Sequence, residues 1–404
     1  MTPPSLQIVG QDAGHAPVPT GHVLWQTAFR PFFIVAALAA LLIIPAWLCV
    51  LSGLLPLQPA LDPLAWHGHE MLHGFALAVI AGFLLTAAMV WTGHETLRGK
   101  RLIALVGLWI AGRVLMLTGP SGLWAAAVVN TAVPLVVASG IIGPIIKARS
   151  TRNTPFIALL FVLSAAEVAL FGEALGYWVG FRSAALWLSL DVVAIMIVIV
   201  GGRIIPMFTK NAVGCEVRQA NLLDRAAPWS LVAVAIAHAG GPLMPSAALY
   251  SLCGLAGLIN LLRMRGWGSW GASRTPFVFI LHLGYGLLAL GLLTEAITGW
   301  TALEPVHPGR HVLALGGVTM LCMGMMTRVA LGHTGRPLHP PAGTHALYAA
   351  VALSTVLRIS ATFVVDYSRP LLWAAGLLFA GAFAGYLALY SGYLISPRPD
   401  GKPG

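Results

Sequence analysis

Charge is scarce in this chain: 23 Lys or Arg and 13 Asp or Glu make 9% of 404 residues, against roughly 25% in soluble domains. That composition argues against a soluble enzyme. Cysteine is nearly absent too. Cys49, Cys215, Cys253 and Cys322 are far apart, without CxxC, zinc spacing or CxxCH, which excludes a disulfide scaffold, a zinc module and covalently attached c-type haem. Three of the four sit in apolar runs and read as structural thiols. No GxxxxGK[ST] or GxSxG motif occurs, and no GxGxxG lies between a strand and a helix, so nucleotide hydrolysis, ester hydrolysis and dinucleotide redox chemistry find no support. The net charge of +10 comes from basic residues scattered in short loops instead of a stripe, so nucleic acid is not an expected partner. The first 28 residues hold no Lys or Arg but four Pro. A basic region ahead of a cleavable signal is therefore missing, and the first apolar run is expected to be retained.

What the chain does have is apolar length, 58% of its residues. Pro, Gly and charge clusters divide it into about twelve runs, near 29–52, 64–92, 102–118, 122–146, 155–172, 185–208, 227–240, 244–262, 276–298, 309–330, 343–363 and 370–396. Most approach the roughly 20 residues a helix needs to cross a bilayer, where only structures with internally satisfied backbone groups are stable. The seventh run, of about 14 residues, is the shortest. Loops and tail after even-numbered runs carry sixteen Lys or Arg, and loops after odd-numbered runs only Arg182, Arg310 and Arg369. By the positive-inside rule, this predicts an all-α membrane protein of about twelve spans in one bundle with both ends cytoplasmic. Residues 1–28 and 397–404 are expected to be tails flanking one membrane domain, 29–396. The lipid bilayer is the first partner implied.

Thirteen His residues stand out against so little charge, and intramembrane ionisable groups are functional candidates by default. The densest cluster is Trp66-His67-Gly68-His69-Glu70-Met71-Leu72-His73. Asp62-Pro63 just before it reads as an N-cap and first helical position. At about 100° per residue, His67 and His69 project roughly 200° apart and cannot share one metal, whereas His69 and His73 share a face, as do His67 and Glu70. Two sites flanking the helix are expected, with Glu70 orienting an imidazole or relaying protons. Simple interhelical hydrogen bonding remains the plainer alternative. His311 and His238 fall at a similar outer depth, with His282 toward the cytoplasmic side and His94 and His333 in cytoplasmic loops. Ordinary helix–helix hydrogen bonding is the simpler reading for His238.

Imidazole ligates both haem iron and copper, and a bundle can hold a macrocycle between facing His residues. Porphyrin propionates call for basic partners, for which Arg113 is a candidate. Snorkelling or an interhelical contact explains that Arg equally, and cytoplasmic anchoring explains Arg203. Met320, Met323, Met325 and Met326 beside Cys322 suggest soft-metal binding less than flexible packing. Glu167, Asp191 and Glu295 suit a proton path or structural polar contacts.

Taken in order, several segments resemble the NnrS family over nearly the whole apolar length. They are Phe29-Arg30-Pro31-Phe32-Phe33, Trp66-His67-Gly68-His69-Glu70-Met71, Gly201-Gly202-Arg203-Ile204-Ile205-Pro206-Met207-Phe208-Thr209, Leu281-His282-Leu283, His311, and Thr327-Arg328 through His333-Thr334-Gly335-Arg336. The resemblance implies an inner-membrane protein with non-covalent haem and copper that binds nitric oxide. Its role would lie in nitrosative-stress protection or in turning the gas over during denitrification, either as an oxidoreductase or as a sensor without turnover. It further implies His67, His69, His282 and His311 as metal or haem ligands, Glu70 behind them, Arg203 as a charge partner and His333 within the motif. His73 stands where the family is expected to carry an aromatic, so its pairing with His69 is either peculiar to this chain or packing. An architecture like that of haem-copper oxidases, which also use a helix-borne His-x-His, is a fold-level analogy. The competing reading is a secondary transporter or metal-handling permease with a His and acid relay, but inverted repeats and paired broken helices are not evident in the sequence.

Overall fold

The computed structural model describes residues 22–214, 216–218, 220–301 and 307–402. Cys215, most of the expected N-terminal tail and the last two residues lie outside them. Every expected apolar run is helical, and no strand occurs among the described residues. The long helices are α1 Phe29–Leu51, α2 Pro63–Thr92, α3 Lys100–Leu115, α4 Leu123–Lys147, α5 Thr154–Ala174, α6 Arg182–Val213, α7 Asn221–Ala239, α8 Ser246–Met264, α9 Pro276–Trp300, α10 Pro308–Gly332, α11 Thr344–Phe363 and α12 Ser368–Ile395. Ten of these segments are long and apolar enough to cross a membrane, so the chain is a multi-pass membrane protein. The other two are α3, at 16 residues, and α7. The latter starts at Asn221, ahead of its apolar run, and takes in Asp224 and Arg225.

Consecutive helices pack as antiparallel neighbours, and α12 closes back on α1. Arg30 fastens that closure: one guanidinium nitrogen donates to Leu394 O at 2.6 Å and Ser396 O at 2.9 Å. A cation thus satisfies carbonyls that the end of α12 leaves without helical partners. Three helices sit deeper than the rest. In α2, α6 and α10, 72% of the most apolar stretch is buried, against 33–61% in the other spans. They stand four helices apart in chain order and form the centre.

Two of these central helices are not α-helical throughout. Glu70–Ala76 in α2 and Val312–Thr319 in α10 are π-helical, a wider i→i+5 form that is rare and concentrates at functional sites. Each begins within three residues of a histidine, His67 or His311.

The α9–α10 contact is made by glycine. A Cβ on Gly309 would meet Glu295 N at 2.4 Å and Gly291 O at 2.6 Å, and one on Gly291 would meet Leu313 N at 2.5 Å. Close backbone approach through small residues is a common way for helices to associate in lipid. Because the obstructing atoms are backbone, Gly309→Ala must push α9 and α10 apart. A loss of about 1–3 kcal/mol is expected, read as a lowered thermal midpoint of the detergent-solubilised protein. An unchanged midpoint would show that the two helices are not held this closely.

Candidate functional site

A cavity of ≈ 630 Å³ opens among α1, α2, α6, α10, α11 and α12. It lies at the basic-poor end of the bundle, where α2, α6 and α10 begin. Its volume is that of pockets that enclose cofactor-sized ligands, about 300–1,000 Å³. Both π-helical segments line it, through Met71, Phe75, Leu315 and Val318 among others. His67 and His311 enter it from α2 and α10. Asp62 caps α2, accepting from the amides of Leu64 and Ala65 at 3.2 Å each, and Pro63 follows at the first helical position. His67 therefore sits one turn into the helix. The Trp47 indole stacks on its ring with centroids 4.2 Å apart and is itself pinned by donation to Pro63 O at 3.1 Å. His67 Nδ1 is buried without a hydrogen-bond partner.

Three guanidinium groups reach the same cavity, Arg182, Arg310 and Arg358. Arg182 pairs with Asp62 at 2.6 Å, and Arg310 pairs with Glu295 at 2.9 Å while stacking over Trp187 at 3.6 Å. Arg358 is different. It donates to Thr362 Oγ1 at 3.1 Å and forms no ion pair among the described residues. A cation on an apolar helix facing a cavity between spans favours an anionic group there.

The other side of α2 carries a separate polar cluster. His69 is fully buried, with Nδ1 donating to Glu70 Oε1 and Nε2 to Glu167 Oε1, both at 3.1 Å. His73 Nδ1 lies 2.8 Å from the same Glu167 oxygen, and its Nε2 bonds the Ser189 hydroxyl at 3.0 Å. Arg113 donates to Glu70 at 3.0 Å and bonds Asn130. Ionised carboxylates only accept, so both nitrogens of His69 must carry protons for these contacts to form. Two carboxylates, Arg113 and a doubly protonated His69 sum to zero charge with His73 neutral beside them, which lets the five ionisable groups stay buried together.

The expected projections of His67 and His69 to opposite sides of α2 are therefore seen, but three expectations are corrected. Glu70 does not back His67; it bonds the adjacent His69 and accepts from Arg113, which reaches it from α3. His69 and His73 share a face with stacked rings, centroids 5.3 Å apart, but both turn to Glu167 and not to an open site. Arg113 serves Glu70 instead of the cavity, since it projects from α3, which does not line it.

His282, Arg203 and His333 lie at the opposite, basic-rich end. His282 is held between the hydroxyls of Thr209 at 2.8 Å and Ser269 at 2.9 Å, so it shares no site with His311. Arg203 donates to Asn153 Oδ1 and Arg152 O, each at 2.8 Å. His333 packs against Phe29, centroids 5.7 Å apart, and its carbonyl accepts from Arg398. Outside the spans, hydrogen bonds from Arg398 hold the Asp400 carboxyl down to about 2, so that surface clasp stays ionised at neutral pH. His238 donates to Asp191 at 2.5 Å, the interhelical contact that was the plainer reading. Among the described residues no three His, Cys, Asp or Glu side chains converge on a point suited to a metal ion. Sequence reasoning did not single out Trp47, Arg310 or Arg358 for the cavity. Only Arg358 carried a usable signal, as a cation inside an apolar run.

The fold and site define a polytopic all-helical membrane protein with a histidine-bearing cavity between its central helices. The family model for NnrS protein matches residues 23–398, and the chain belongs to the NnrS family. No curated protein matches it.

Proposed function

We propose that this NnrS-family membrane protein binds haem non-covalently in the cavity at the basic-poor end and takes nitric oxide as the haem's ligand. One observation carries this reading: His67 and His311 enter a single ≈ 630 Å³ cavity from facing central helices. An orphaned, buried Nδ1 on His67 fits a group that has yet to receive its partner. His67 and His311 are the imidazoles for iron, Trp47 fixes the His67 ring, and Arg358 takes a propionate, with Arg310 and Arg182 beside it. Phe75, Trp187 and Phe379 supply apolar walls. Haem contributes an iron centre that binds the gas; the chain contributes orientation, charge balance and exclusion of water. Copper, which the resemblance implies, has no ligand trio among the described residues. The family itself suggests the link to nitric oxide. The positive-inside argument puts the cavity on the outer side of the bacterial inner membrane, with both termini cytoplasmic.

The test is the reduced-minus-oxidised spectrum of detergent-purified protein from haem-replete cells, with and without nitric oxide, with iron and copper analysis of the same sample. A Soret band that shifts with the gas is expected. Protein without haem or iron would sink the reading and favour a permease. Arg358→Leu is expected to lower haem content several-fold while Arg358→Lys retains most of it, because a point charge still reaches a propionate without the bidentate fork. Equal haem content in both variants would remove Arg358 from the site.

A further inference from the structure

A second, smaller cavity of ≈ 70 Å³ lies one helical turn deeper than the first. Three helices carry both along the same faces. In α2, Ala76 lines the large cavity and Ile80 the small one; in α6 the pair is Leu190 and Val193, and in α10 it is Val318 and Leu321. Residues three or four apart on a helix are surface neighbours about 5–6 Å apart, so the two spaces are stacked one turn apart along three helices. The small cavity is lined without any charged side chain, hydroxyl or amide, its least apolar group being the Cys322 thiol. Water needs two to four polar partners to reside in such a space. An uncharged gas needs none. The volume exceeds the ~30 Å³ share of a water molecule and falls well below the ~150 Å³ of an apolar cavity that admits benzene. At its rim Phe83, Val200 and Met325 are only partly buried, so the opening is lateral, within the spans, where acyl chains would lie.

We propose that this cavity is a docking site through which an uncharged diatomic gas passes from the lipid to the large cavity. The inference rests on the reading of a haem there, and it assigns a route to that haem's ligand: sideways out of the hydrocarbon, past Val200, and up the shared faces of α2, α6 and α10.

The test uses the haem-loaded protein in two ways. Crystals pressurised with xenon should show the atom among Ile80, Val193 and Leu321. Flash photolysis of the carbon monoxide adduct should show that Val200→Phe slows bimolecular rebinding several-fold, with the equilibrium spectrum unchanged and xenon displaced. Val200→Ala, which opens the rim, should rebind at least as fast as the parent and keeps the test alive if the Phe variant does not fold. Absence of xenon from this cavity, density for an acyl chain within it, or rebinding unaffected by Val200→Phe despite xenon displacement each overturns the route while leaving the haem reading intact. A parent protein without haem overturns both, whereas haem that binds no gas removes the ligand from the function and the route with it.

Discussion

His67→Ala and His311→Ala are each expected to abolish or strongly reduce the Soret band of the purified protein, while His282→Ala and His333→Ala leave it in place. The contrast follows from position. His67 and His311 open into one cavity, whereas His282 is satisfied by two hydroxyls at the other end of the bundle and His333 packs on Phe29. On the proposed reading, losing either imidazole would remove a ligand for the iron and leave a space that a methyl group cannot fill. If one variant retains haem with a shifted band, the remaining histidine is the stronger ligand, and added imidazole should restore the parent spectrum. Pyridine haemochrome analysis of all four variants decides the matter. Haem lost in His282→Ala and kept in both His67→Ala and His311→Ala would place the cofactor at the basic-rich end, and the assignment of the cavity would fail.

How far the sequence anticipates this arrangement depends on the kind of information involved. Apolar run length placed every long helix, because lipid leaves the backbone almost no alternative. The Asp62-Pro63 cap is local chemistry and formed as expected. The opposite projections of His67 and His69 needed only helical geometry over two residues. It did not say which imidazole Glu70 would serve, since Arg113 and Glu167 from other helices decide that, and no residue type announces the π-helical turn that follows. Partners from distant helices were equally hidden. Trp47 on His67 and Glu167 between His69 and His73 join segments whose pairing is set by bundle topology. Arg113 shows the same limit from the other side, since a cation in a span announces a buried anion but not which one. Glycines such as Gly291 and Gly309 look like helix weaknesses in sequence and prove to be the points of closest backbone approach.

Glu167→Ala is expected to be the most destabilising single change outside the cavity. The carboxylate is fully buried and receives both His69 and His73. Removing it leaves His69 with one carboxylate instead of two, His73 with an unmatched ring nitrogen, and the cluster with a net positive charge in a setting that solvates charge poorly. Loss of one partner from a buried ionic group costs about 3–5 kcal/mol, far more than a surface ion pair contributes. Glu167→Gln should lose less, since its amide oxygen still accepts one N–H. Combining Glu167→Leu with His69→Phe should recover much of the loss, because the Glu70–Arg113 pair that remains is neutral overall. Thermal unfolding in one detergent, followed by circular dichroism and referenced to haem content at low temperature, separates stability from cofactor loss. A Glu167→Ala midpoint equal to that of the parent would show that the cluster does not hold α2 against α5, and the zero-charge account of its burial would have to be abandoned.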